Sequence, residues 1–119
     1  MCLILLAWQS HPDYPLVVAA NRDEFFSRRT AAADFWGDAP DVLAGRDLEA
    51  GGTWLGVTRR GRFAALTNFR DPARNKTSAP SRGDLVIRFL SGTQSPLEYL
   101  AELEAVAAAH NGFNLLFGD

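Results

Sequence analysis

The sequence has one cysteine (Cys2), one methionine and two well-separated histidines, His11 and His110. A lone cysteine cannot close an internal disulfide, and with only two histidines it falls short of a structural zinc site, so neither staple nor metal is expected. Long apolar runs are also missing. The longest, Cys2 to Trp8, has seven residues, where a membrane-crossing helix needs roughly 20. No basic residue precedes this run, no small-residue cleavage site follows it, and position 2 is not glycine; these features argue against a secretory signal and N-myristoylation. The expectation is a cytoplasmic chain with no membrane span. Twelve basic and fourteen acidic residues give a net charge of -2, which argues against a nucleic-acid binder held by phosphate attraction.

What is present is a 119-residue chain, 47% apolar, enough for one globular domain with a core. Its charge is segregated. The stretch from Arg59 to Arg88 holds eight of the twelve basic residues and only Asp71 and Asp84 as acids, so it carries +6 and the remainder -8. An acidic partner is therefore expected near that stretch.

Residues 2–8 (CLILLAW) and 16–21 (LVVAAN) read as two buried strands of a hairpin, separated by a turn containing Pro12 and Pro15. A polar, Ala-rich connection through Phe35, Trp36 and Gly37 leads to a short apolar run at 42–45. TWLGVT (53–58) and RFAALTN (62–68) form a second hairpin with Arg-Gly at its tip. Residues 69–83, with Pro72 and Pro80, read as a long surface loop. Asp84 is placed to cap a short helix, LVIRFL. Ser95-Pro96 opens a longer helix whose buried face is expected to be Leu97, Leu100, Leu103 and Val106. Asn111-Gly112 ends it, and residues 113–117 begin another strand. The order predicts an α+β fold with an antiparallel sheet.

Cys2 is the strong nucleophile candidate. Removal of the initiator methionine would leave a cysteine whose own α-amine could serve as general base, with no histidine required. The alternative is a small apolar residue on a buried strand, in register with Ile4, Leu6 and Trp8. Asn21-Arg22-Asp23-Glu24 follows the second strand, beside the start of the first. Arg22 would favour thiolate, and Asp23 could hold the amine; alternatively, Asn21 and Glu24 form a capping box before Phe25 and Phe26. Asn68 ends a strand where its amide could donate to an oxyanion, or it is an ordinary turn residue. Trp54 is read as core or as a ligand contact, and Arg70 and Arg74 in the basic loop could receive an anionic group. His110 is placed to complement a helix C-terminus.

These residues fall within a family pattern: MC at the start, YPLVVAANRDEFFSR at 14–28, FWG at 35–37, LAGRDLEAGGTWLGVTRRGRFAALTNFRDP at 43–72, SRGDLV at 81–86 and NGFNLL at 111–116. The chain closely resembles the NRDE family, which includes the transport and Golgi organisation proteins. That family resembles the N-terminal nucleophile (Ntn) hydrolases, whose fold is a four-layer αββα sandwich with antiparallel sheets. The resemblance implies that residues 1–119 form the N-terminal portion of a single such domain, because relatives are longer. By analogy with cysteine amidases of that superfamily, it implies catalytic roles for Cys2, Arg22, Asp23 and Asn68. One expected function is therefore an amidohydrolase acting on linear amides. The other, also implied by the resemblance, is a non-catalytic carrier of haem, acyl-CoA or lipid in trafficking and Golgi or mitochondrial organisation. In that case no resident cofactor is needed, haem would be cargo touched by Cys2 or His11, and Arg70, Arg74 and Trp54 would contact the ligand.

Overall fold

The computed structural model describes residues 2–119. Branched residues pack well on a pleated surface, and the first two apolar runs form β1 (Leu3–Trp8) and β2 (Leu16–Asn21). They pair antiparallel from Leu3↔Asn21 to Trp8↔Leu16. This hairpin stands as its own two-stranded sheet, and its strands are not buried as expected: with no further strand beside them, Leu3, Leu5, Leu6, Trp8 and Val17 are exposed.

The second sheet has five antiparallel strands in sequence order: β3 (Thr30–Trp36), β4 (Ala39–Asp47), β5 (Leu55–Thr58), β6 (Phe63–Asn68) and β7 (Phe113–Gly118). The turn between β5 and β6 is the one expected from Arg-Gly. Gly61 takes φ +89°, in the left-handed region open to glycine, and its N–H donates to Thr58 O at 3.1 Å. Strand β6 is buried along Phe63–Leu66, with the first helix against it and β1 of the hairpin also in contact.

Helix α1 (Gly83–Ser91) buries Leu85, Val86, Phe89 and Leu90, and α2 (Pro96–Val106) packs beside it. Together with Val42, Ala64, Leu66 and Trp36 they make the core. Each fully buried large side chain there contributes about 1.5–3 kcal/mol relative to exposure. Tyr99 joins the helices, its hydroxyl donating to Leu85 O at 2.6 Å and its ring lying 5.2 Å from Phe89 and 5.3 Å from Phe117. Arg62 is buried and donates to Phe89 O at 2.7 Å and to Gln94 O, so this cation serves one carbonyl in the last turn of α1 and one in the connection after it.

Several expectations need correction. The Ala-rich connection contains strand β3. Alanine has weak strand preference, but β4 runs nine residues and supplies the backbone partners of this edge strand, with irregular register between Ala31 and Asp34 and between Phe35 and Trp36. In α2, Leu97 is 79% exposed and Leu100 42%, whereas Tyr99 and Leu103 are buried. The aromatic ring buries more area than a leucine and its hydroxyl finds a carbonyl, so the face carrying Tyr99 turns inward. Asp84 does not cap α1: the capping position is Arg82, with no side-chain cap, and Asp84 lies in the first turn. Ser95 does cap α2, in a reciprocal capping box with Glu98. Residues 22–29 hold no helix, so Asn21 and Glu24 form no capping box.

The 69–83 loop is moored rather than loose. It contains one 3-10 turn, Pro72–Arg74, capped by Asp71. Its ends and middle are tied to the turn before β7: Phe69 N donates to Gly112 O at 2.9 Å, Lys76 N to Asn111 Oδ1 at 2.7 Å, and Arg82 Nη1 to Gly112 O at 2.9 Å.

Candidate active site

The hairpin register sets the site. With Leu3 opposite Asn21, the residue before β1 meets the residues after β2. Asn21 Oδ1 accepts from Leu3 N at 3.1 Å. Asp23 N donates to Cys2 Sγ at 3.3 Å, and the thiol lies 3.9 Å from Asp23 O, to which it can donate weakly.

Cys2 opens onto a cavity of about 460 Å³ lined by Arg22, Asp23, Trp54, Asn68 and Arg82, among others. All four expected catalytic residues and Trp54 thus line one cavity. Trp54 is half-buried and outside the buried core. Arg22 lies 3.7 Å from Glu24. The Asp23 carboxyl is held below the usual carboxylate range by neighbouring positive charge, of which Arg70 supplies a smaller share.

Arg70 and Arg74 do not reach this cavity. They line a neighbouring one of about 760 Å³, which shares Asp23, Asn68, Arg82 and Asn111 with the first. Both are largely exposed and engaged with carboxylates, Arg70 with Asp23 at 3.8 Å and Arg74 with Asp71 at 3.6 Å. The basic stretch does not act as one patch. Arg60 pairs with Asp41, Arg88 with Glu102, and Arg59 covers the Phe35 ring, all away from the cavities. His11 lies in the hairpin turn, its ring tilted against Tyr14 at 5.1 Å, at the opposite end of β1 from Cys2. His110 Nδ1 is 3.1 Å from Val106 O, beside the end of α2 as expected, and its ring also lines the second cavity.

Two features of the first cavity went unassigned in the sequence. Arg28 and Asp47 form an ion pair at 2.6 Å in its wall. Burial works against the Asp47 charge, yet the Arg28 hydrogen bond prevails and holds its carboxyl below the usual range. Arg82 is the other. It sits on the wall between the cavities, where burial pushes its pKa down against the opposing pull of the Glu24 charge. Arg82 belongs to the SRGDLV segment and Arg28 to YPLVVAANRDEFFSR, so the signal was there, but spacing alone does not bring either to Cys2.

A close backbone approach fixes Arg82. Thr53 N lies 3.4 Å from Gly83 O, and a Cβ on Gly52 would stand 2.7 Å from Gly83 C. Only glycine allows the 51–53 segment to press on the start of α1 and bring Trp54 and Arg82 to one cavity.

No helix among the described residues is long and apolar enough to cross a membrane. The fold and site define a mixed α/β protein on antiparallel sheets, with a cysteine, four arginines and two aspartates among the residues around a cavity at the hairpin end. The chain belongs to the Transport and Golgi organisation 2 family, whose model matches residues 1–119. It is 45% identical over 126 aligned positions to the Bos taurus Transport and Golgi organization protein 2 homolog, covering 100% of this chain and 45% of that protein. The Homo sapiens homolog is 43% identical and the Mus musculus homolog 42%, each with the same coverage. The chain spans less than half the length of these relatives.

Proposed function

We propose that the protein is an Ntn-type cysteine amidohydrolase acting on a linear amide, within a domain of the four-layer αββα kind. The observation that carries this reading is the thiol of Cys2 held by Asp23 N–H at 3.3 Å at the mouth of a cavity that also contains Arg22 and Asn68. With Cys2 as the first residue, its α-amine takes the thiol proton as sulfur attacks the amide carbonyl carbon. Asn68 donates to the resulting oxyanion. The tetrahedral adduct collapses, the C–N bond breaks, and the ammonium returns the proton to the departing amine, leaving a thioester on Cys2. Water, deprotonated by the same amine, then attacks the thioester, releases the carboxylic acid and restores the thiol. Arg22 and Asp23 orient the nucleophile and its amine.

The test is a thiol-directed acylating probe applied to the full chain, with intact-mass and peptide mapping. The expected label sits on residue 2 of a protein lacking Met1 and disappears in Cys2→Ala. A label elsewhere, or Met1 retained in the natural protein, refutes the mechanism.

The second cavity favours a carrier as the second reading, because Phe25 and Phe69 beside Arg70 and Arg74 suit an amphipathic anion such as haem, acyl-CoA or a lipid. Binding of such a ligand without turnover, and without probe labelling at Cys2, would select it.

A further inference from the structure

The second cavity has five cationic side chains in its wall besides His110: Arg28, Arg70, Arg74, Lys76 and Arg82. The first three are engaged with carboxylates, Arg28 with Asp47, Arg70 with Asp23 and Arg74 with Asp71. The other two differ. Among the described residues no carboxylate pairs with Lys76 or Arg82. Lys76 donates from Nζ to Ala108 O, and Arg82 from Nη1 to Gly112 O at 2.9 Å. Glu24 acts on Arg82 only at a distance.

A guanidinium has five N–H donors in a planar fork, and one carbonyl leaves most of that fork open. Arg82 is half-buried, where an anion meets less competition from water than at the surface. The backbone ties hold it in place: its own segment is pressed on Gly52, and the loop bearing Lys76 is fastened to Asn111 at both its N–H and its C=O, at 2.7 and 2.9 Å. The two cations are thus carried by one moored loop and line one cavity, Arg82 also standing in the wall of the Cys2 cavity. Phe25 and Phe69 line the same space and are 80% and 58% exposed.

We propose that Arg82 and Lys76 form an anion subsite that receives a carboxylate or phosphate group carried by the substrate, while its amide lies at Cys2 and its apolar part lies along Phe25 and Phe69. The substrate class is therefore an amphipathic N-acyl compound with an anionic amine portion. The assignment rests on the reading of the Cys2 cavity as the place where the amide sits. It also departs from the sequence-based choice of Arg70 and Arg74, whose charges are already matched by carboxylates.

The experiment measures binding rather than turnover. The full chain with Cys2→Ala is titrated calorimetrically at low salt with three amides sharing one acyl chain: N-decanoylglycine, neutral N-decanoylglycinamide and N-decanoyl-phosphoethanolamine. The expected result is roughly tenfold tighter binding of at least one anion than of the neutral amide, narrowing as salt is raised. The tighter of the two anions names the source of the charge. Adding Arg82→Ala should bring the discrimination within about twofold, Arg82→Lys should retain part of it, and Arg59→Ala, outside the cavity, should leave it intact. If Arg82→Ala does not fold, Lys76→Ala and the salt dependence carry the test. Equal affinity for anionic and neutral amides, or discrimination that survives both replacements, overturns the subsite. Because Cys2 is absent throughout, a wild-type chain that fails to hydrolyse amides yet discriminates charge would sink the hydrolase reading and leave the subsite standing.

Discussion

Replacing Tyr99 by phenylalanine tests how α1, and with it Arg82, is held. The hydroxyl donates to Leu85 O at 2.6 Å from a side chain only 1% exposed. At neutral pH its loss should cost about 1–2 kcal/mol, for the bond and for the carbonyl left underserved. The pH dependence is sharper. Burial pushes the Tyr99 phenol up from an ordinary 10.0 to about 12, so the folded protein keeps the proton while the unfolded chain loses it. The associated stability is complete below the unfolded value near 10 and declines by about 1.4 kcal/mol per pH unit until the folded group ionises. Over that window the wild type should lose about 3 kcal/mol that Tyr99→Phe does not lose. The wild type should therefore be the more stable protein at neutral pH, and the two stabilities should meet near about pH 11. Urea denaturation followed by circular dichroism from neutral to alkaline pH gives both curves, and exposed Tyr14, common to both proteins, cancels. A difference between the two proteins that stays constant from about pH 9 to 12 would refute the argument.

Two further outcomes follow from the packing. Leu103→Ala should destabilise by about 2–5 kcal/mol, whereas Leu97→Ala, one turn and a half away on the exposed face of α2, should change stability by no more than about 0.5 kcal/mol; comparable urea midpoint shifts would mean the helix faces are misassigned. Gly52→Ala must push its new Cβ away from Gly83, at a cost of about 1–3 kcal/mol, and calorimetry should show Tm lower by several degrees. An unchanged Tm would mean that the 51–53 segment does not press on α1.

Both hairpins and β7 are legible in the sequence because their apolar runs are short, branched and bounded by turn residues. The α2 start is equally legible, since Ser95, Pro96 and Glu98 each suit their capping positions. Strand β3 is not, because TAAADFW carries weak strand preference and owes its conformation to β4. The inward face of α2 is read only in part for a related reason: Leu97 and Leu100 lie on a different side of the helix from Tyr99 and Leu103, and only the partners Leu85, Phe89 and Phe117 decide between them. At the site, Cys2, Arg22 and Asp23 are readable because hairpin pairing brings the start of one strand to the end of the next. Asn68 and Trp54 are readable as candidates. Arg82 is not, since its approach to the cavity depends on a contact between two glycines far apart in sequence.

The ties between the 69–83 loop and the turn before β7 also set an order of assembly. The half of the cavity carrying Cys2 and Asp23 comes from a local hairpin, a structure that closes in microseconds. The half carrying Asn68 and Arg82 requires Asn68 to pair with Phe113 across both helices, a distant contact that forms more slowly. The thiol is therefore in position before the cavity around it exists. Pulse-labelled hydrogen exchange should show Leu3 N protected ahead of Phe69 N.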